Sequence, residues 1–267
     1  MPEASESPSI LSVISNALKQ EIFAVQDYSL MSLQALLNIF TPPQYWTDAI
    51  EQMNSIGVNS LPIVAFASLF IGDVMVLQTA AQFQRFGETA LTGDVVALAL
   101  VRELGPTITA LLVAGRNASG IASELGSMIV TEQVDAMRAL GTDPLRKLVT
   151  PRLVAMVAML PLLVAVSDFV GLLGGFLVAS TTLRLGAVQF WTRAIHALEF
   201  GDLVQGLAKP FIFAFIIATI GCYQGLRVKG GTQGVGRATT SAVVISSVLV
   251  LVVNFFMTKI LLYVFRK

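Results

Sequence analysis

Charge is what this sequence has least of. Only 13% of its 267 residues are Asp, Glu, Lys or Arg, against 55% hydrophobic ones. Soluble domains carry roughly 25% charged residues, and the mean hydropathy here is +0.76. A water-soluble fold of this size could not cover its apolar side chains, so lipid is the expected solvent for much of the surface. Cysteine and histidine are nearly missing, with Cys222 and His196 standing alone. That excludes an internal disulfide and a thiolate metal cluster, and leaves little for nucleophile or metal chemistry. Neither sign of charge is in excess, with 17 basic and 17 acidic residues. Nucleic acid, which needs a basic stripe, is therefore not an expected partner. The opening MPEASESP is acidic and lacks an early apolar run, so no secretory signal peptide is expected.

What the chain does have is long apolar runs. Five spanning segments are expected, at about 58–81, 94–115, 147–180, 206–225 and 241–265. Each covers a hydrocarbon core of roughly 30 Å at 1.5 Å per residue. Ahead of them, residues 9–40 are amphipathic. Leu11, Ile14, Leu18, Ile22 and Val25 share one helical face, and Ser12, Ser15, Lys19 and Gln26 another. A bend is expected at Asp27 and Ser29, and Thr41-Pro42-Pro43 is a stop. So polar a segment fits a helix in the interface plane. Residues 1–43 are thus read as an N-terminal tail and interfacial helix, and 44–267 as the transmembrane domain.

Sidedness follows from Lys and Arg in the connections. The stretch 82–93 holds Arg85 alone. The stretch 116–152 holds Arg116, Arg138, Arg146, Lys147 and Arg152, and 226–240 holds Arg227, Lys229 and Arg237. The two basic connections are expected in the cytoplasm, with the N-terminus inside and the C-terminus outside; Arg266 and Lys267 run against the rule. No inverted repeat relates the halves, which weighs against common secondary-transporter architectures.

The longest polar interruption, 115–152, reads GRNASGIASELGSMIVTEQVDAMRALGTDPLRKLVTPR. A short helix over about 131–141 is expected in it. Thr131 is placed to cap it, with Glu132 in its first turn. Val134, Met137 and Leu140 share a face, and Gly141 suits a left-handed C-terminal cap. Asp143 then caps the next helix, with Pro144 at its first position. A bounded helix between two spans can act as a rigid knob for a soluble motor.

This stretch also carries a resemblance. The run VRELGPTITALLVAGRNASGIASELGSMIVTEQVDAMRALGTDPLRKLVTPRLVA closely resembles the MlaE/YrbE family, the permeases of ABC transporters that work with MCE proteins. The likeness is gap-free through about 100–155 and looser from about 55 to the C-terminus, including GVGRATTSAVVISS at 234–247. The resemblance implies an all-α, multi-pass protein of the inner (cytoplasmic) membrane, working as a homodimer. It implies an ABC ATPase subunit docked on the cytoplasmic helix, an MCE-domain lipid-binding partner outside, and phospholipid or a related lipid as cargo. Glu132, Asp135, Met137, Arg138 and Leu140 would then belong to the coupling helix. No catalytic residue or metal site is expected in this chain; ATP and Mg belong to the partner.

Asp73, Arg102, Glu103 and Asp168 fall inside apolar segments and should face protein or a wet cavity. Neighbours on a helix, Arg102 and Glu103 point about 100° apart and cannot simply pair. Pro106 removes the hydrogen bond to the Arg102 carbonyl, so a kink is expected there. These four are read either as a polar cluster near a lipid cavity or as structural ion pairs. At the outer end of the first span, Met75, Gln78, Phe83 and Phe86, with Val74 and Leu77, are candidates for the cavity wall.

The segment GGTQGVGR at 230–237 approaches a phosphate-binding loop, yet Arg237 stands where Lys is needed and Ala238 where Ser or Thr is needed. It is read as a flexible turn. Gly221 with Gly225, and Gly171, Gly174 and Gly175, permit close helix approach, within a protomer or across a dimer. His196 is read as an ordinary interfacial residue. Two other functions are weighed: a proton-coupled secondary transporter using Asp73, Glu103 and Asp168, and a membrane scaffold.

Overall fold

A computed structural model describes residues 10–183 and 185–265, and all regular structure among them is helical. Five helical stretches are long and apolar enough to cross a membrane: Trp46–Gln84, Thr92–Val130, Leu145–Thr181, Phe200–Leu226 and Gly231–Val264. The number agrees with the apolar runs, but the start of the first crossing, the end of the second and the start of the fifth all move outward.

The first crossing begins earlier. Helix α2 (Trp46–Ile56) passes through one tight turn into α3 (Leu61–Gln84), whose first turn takes Pro62. The second crossing ends later, and this corrects the expected loop at 115–152. Helix α4 (Thr92–Ala99), a π turn (Leu100–Leu104), α5 (Gly105–Val113), a second π turn (Ala114–Ala118) and α6 (Ser119–Val130) form one continuous helical path. The Gly, Asn, Ser and Ala residues of 115–126 look polar in sequence because they are small. Asn117, Ala118, Ala122 and Gly126 are buried against other helices. The true connection is 131–144, holding α7 (Gln133–Ala139).

A π turn at Leu145–Val149 opens the third crossing, α8 (Thr150–Thr181). A strongly amphipathic helix α9 (Ala187–Ala197) precedes α10 (Phe200–Leu226) and α11 (Gly231–Val264). The segment at 230–237 is not a flexible turn. Gly230 and Gly231 have φ of 85° and 65°, and α11 runs on from there.

Glycine decides which helices touch. A Cβ at Gly72 on α3 would fall 1.8 Å from the Gly171 carbonyl oxygen on α8, and one at Gly174 would fall 2.3 Å from that of Leu69. Gly221 and Gly225 of α10 lie against Ala118 and against Ala122 and Leu125 of the second crossing. Both glycine sets therefore close contacts within one protomer.

Helix α1 (Ile10–Asn38) runs without the bend expected at Asp27 and Ser29. Ser29 turns its hydroxyl onto the Val25 carbonyl at 2.7 Å, so a polar side chain is accommodated within the helical turn. Leu11, Ile14 and Leu18 have side chains outside the described set. Further along, Tyr28 bonds Thr219 at 2.8 Å and Tyr223 donates to the Ala24 carbonyl at 2.9 Å, fixing α1 to α10. Ile22, Val25, Leu33 and Leu37 face outward.

Because the crossings alternate, one end of the bundle carries α1, α7 and the α10–α11 turn. The other carries the end of α3, α9 and the start of α10.

Candidate functional site

The most polar feature inside the bundle starts at Pro106. Proline has no N–H, so the helix loses a donor one turn back. The chain relaxes into the π turn at Leu100–Leu104, and the Gly105 N–H bonds the Leu100 carbonyl. The Arg102 carbonyl is free, and the Lys209 ammonium takes it at 2.8 Å. Lys209 has a fully buried side chain and also bonds Glu103 Oε1 at 2.7 Å. Glu103 further accepts from Asn254 Nδ2 at 3.3 Å and Thr258 Oγ1 at 2.9 Å.

Arg102 turns the other way and donates from Nε to Asp202 Oδ1 at 2.6 Å. The other Asp202 oxygen accepts the Glu199 backbone N–H at 2.9 Å in a capping box that starts α10. Two adjacent residues of opposite charge thus reach partners seven residues apart on one face of α10. Sequence reasoning missed Asp202, Lys209, Asn254 and Thr258. The signal for Lys209 was present, since a lysine inside an apolar span needs a carboxylate.

Asp73 and Asp168 do not join this cluster. Asp168 Oδ1 is pressed against Gly105, where a Cβ would lie 1.7 Å from it. Asp73 Oδ1 lies beside Gly174. Neither oxygen has a hydrogen-bond partner among the described residues. The four intramembrane charges singled out by sequence therefore sit in three places.

A cavity of about 780 Å³ opens beside the cluster at the α9 end. Arg102, Glu199, Asp202 and Gln205 are its polar lining, and Phe200, Leu262 and Phe265 its apolar lining. The α3 candidates are elsewhere. Met75 packs with Val76 and Val96, Phe83 is half-buried, and Val74, Leu77, Gln78 and Phe86 face outward. Within one chain the structure does not bring them to the charged cluster.

At the opposite end, α7 is shorter than expected. Thr131 closes α6 by bonding the Ser127 carbonyl, and Glu132 adopts a left-handed φ of 59° as the N-cap of α7. Two turns in succession are why the helix starts at Gln133. Its C-terminus follows the expectation: Gly141 has φ 76°, its N–H bonds the Arg138 carbonyl, and Thr142 N–H bonds that of Met137 at 2.9 Å. This is a Schellman closure. Asp143 caps the next helix through the Leu145 N–H at 2.9 Å. Val134 is buried and Met137 half-buried, but Leu140 has left the helix and is 84% exposed. Asp135 and Arg138 pair at 2.9 Å on the outside. Beneath them, buried Arg152 on α8 pairs with Glu124 on α6 at 2.8 Å.

A family model for the permease MlaE matches residues 49–260. The chain belongs to the MlaE permease family. Among its relatives, a probable ABC transporter permease protein of Rickettsia felis is 44% identical over 89% of this chain and 92% of its own length. The intermembrane phospholipid transport system permease protein MlaE of Haemophilus influenzae is 35% identical over 79% of this chain and 82% of its own. The chloroplastic trigalactosyldiacylglycerol 1 protein of Arabidopsis thaliana is 36% identical over 85% of this chain and 65% of its own.

The permease is thus a multi-pass membrane subunit of the ABC transporter type. The matched region contains the charged cluster, α7 and all but the first residues of the first crossing. All of α1 lies outside it, as does the far end of the cavity at Leu262 and Phe265.

Proposed function

We propose that the permease moves phospholipid, or a related lipid, between the inner membrane and an MCE-domain lipid-binding protein outside the cell's inner membrane. It works as a homodimer, driven by a separate ABC ATPase subunit that holds the ATP and Mg. One observation carries this reading: the cavity at the α9 end, lined by one guanidinium, two carboxylates and an amide together with aromatic and aliphatic side chains. A two-tailed lipid with a charged head needs such a site, mostly apolar with few polar groups at one end.

The rest follows from charge. Arg102 and Glu103 keep side-chain exposures of 36% and 37% in one chain. Charges at mid-membrane cost roughly 2.5–3.5 kcal/mol each on insertion scales. Their open side therefore faces a wet cavity or a second copy, not lipid tails. The α3 residues Met75, Gln78, Phe83 and Phe86, with Val74 and Leu77, form a further wall at the same outer level. At the cytoplasmic end, α7 is the coupling helix: Val134 and Met137 root it in the bundle, while Glu132, Asp135, Arg138 and Leu140 meet the ATPase.

Photo-crosslinkers test the cavity in the assembled transporter. Positions 265 and 86 should capture phospholipid beyond its share of the membrane, whereas Leu162, 58% exposed on α8, should capture bulk lipid only. Equal capture at all three positions would overturn the cavity. Leu140→Asp should release the ATPase without changing the membrane fold; full ATPase stoichiometry in that variant would overturn the coupling assignment.

A further inference from the structure

We propose that an anionic phospholipid headgroup binds a second site, at the α7 end, in the open groove between α1, α7 and the end of α10. The leaflet rests on the reading above, which places this end in the cytoplasm. The groove measures about 370 Å³, within the range of small-ligand sites. Three elements build it. Helix α1 presents Asp27, Met31 and Gln34 from one face, α10 presents Tyr223 and Arg227 from its last turn, and α7 presents Arg138. Leu145 and Leu226 add apolar lining.

Spare donors favour a phosphate here. Each guanidinium already holds one carboxylate, Arg138 on Asp135 and Arg227 on Asp27, so recognition rests on the N–H groups left over and not on net charge. A guanidinium carries five N–H donors. Arg138 uses Nη1 on Asp135 at 2.9 Å, and Arg227 uses Nη2 on Asp27 at 2.8 Å and Nη1 on the Tyr223 hydroxyl. Donors remain on both, and two such forks suit the oxygens of a phosphodiester. All three ion-paired side chains that the groove shares are about half exposed or more, so a ligand can reach them.

Depth selects lipid over free phosphate. Helix α1 exposes Ile22, Val25, Leu33 and Leu37, the apolar face with which an interfacial helix settles at the headgroup–acyl boundary. Asp27 and Gln34 on the same helix therefore sit among the headgroups. A pocket between helices at the cytoplasmic surface that offers two guanidinium forks suits the phosphate of an anionic lipid. The bound phosphate would bridge Arg138 of α7 to Arg227 of α10, joining the coupling helix to the bundle through a lipid.

The test uses the permease with its ATPase partner in nanodiscs of mixed phosphatidylglycerol and phosphatidylcholine. A photo-crosslinker at Gln34 should capture phosphatidylglycerol about tenfold over its share, a difference of about 1.4 kcal/mol. Arg227→Gln should abolish that preference, and Arg227→Lys should restore part of it. Millimolar inorganic phosphate should leave capture unchanged. Three outcomes overturn the proposal: no preference in the parent protein, preference retained in Arg227→Gln, or displacement by inorganic phosphate, which would make this a site for the free ion. Loss of the ATPase with lipid capture intact would also overturn it, by making Arg227 a protein contact. Capture at position 265, on the far side of the bundle, separates this test from the transport reading. That capture should not change in Arg227→Gln.

Discussion

Helices α10 and α11 are neighbours of almost equal greasiness, with mean hydropathies of 1.9 and 2.2 over their most apolar stretches, yet 61% of the first is buried and 17% of the second. Hydropathy says that both cross; it does not say what either one touches. What separates them is punctuation. Helix α10 carries glycines at 206, 221 and 225, each closing on another helix, and the charges Asp202 and Lys209 that engage the second crossing. It is the hub of the bundle. Helix α11 touches the rest through Ala238, Ala242, Ser246 and Val250, and through Asn254 and Thr258 on Glu103. Its remaining face, from Val244 to Val264, is open.

The sharpest way to break this contrast is at the hub's charge. Glu103→Leu strands the fully buried Lys209 ammonium. Removing one partner of a buried pair costs about 3–5 kcal/mol, so the unfolding midpoint in detergent should fall steeply. Adding Lys209→Met should recover most of the loss, because no buried charge is then left unpaired. A small effect of Glu103→Leu alone would mean that the cluster is solvated and α10 is not anchored there.

That network also marks how far the sequence could be read. The five crossings and the cap at Gly141 were legible, because periodicity and turn chemistry are local, and the family was legible through the resemblance of the run at 100–155. The partners of Arg102 and Glu103 were not. They lie a hundred residues away and depend on which face of α10 turns inward. The length of the second crossing was hidden for a related reason: Ser, Asn and Gly between 115 and 127 look like a loop, and only one side of that stretch, at Asn117, Ala118, Ala122 and Gly126, is buried against other helices while Gly120, Ser123 and Ser127 stay exposed. Leu140 was assigned to the face of Val134 and Met137 by spacing, but the helix ends one residue before it.

Glycine gives the next comparison. A Cβ at Gly206 on α10 would meet the Val101 carbonyl oxygen at 2.4 Å, and backbone cannot step aside cheaply. Gly206→Ala should cost about 1–3 kcal/mol, the usual range for overpacking. Gly236 on α11 has nothing within 4 Å of that position. Gly236→Ala should instead raise stability by up to about 1 kcal/mol, the difference in helix propensity. Thermal unfolding of the two variants side by side reads both signs. Equal destabilisation would erase the distinction between hub and rim.

The smallest effect is the one that says what covers α11. Phe255 is 64% exposed, one turn from Thr258 and the charged cluster, while Phe66 is 69% exposed on α3 along a stripe with Ile63 and Phe70. Truncating either to Ala removes an exposed side chain, so the unfolding of a single chain should move by no more than about 0.5 kcal/mol. Lipid tails are as apolar as the side chains they replace and reward neither position. A second copy of the chain would discriminate. The α3 stripe carries no charge and suits lipid, whereas the side of α11 beside Arg102 and Glu103 borders exposed charges that lipid cannot solvate. Phe255→Ala should therefore shift the monomer–dimer equilibrium several-fold toward monomer, within about 1.4 kcal/mol. Phe66→Ala should leave it unchanged. Dilution in detergent micelles, followed by single-molecule photobleaching counts, resolves a shift of that size. A dimer weakened by Phe66→Ala and indifferent to Phe255→Ala would put α3 at the two-fold axis. The charges of the second crossing would then need to be satisfied within one chain.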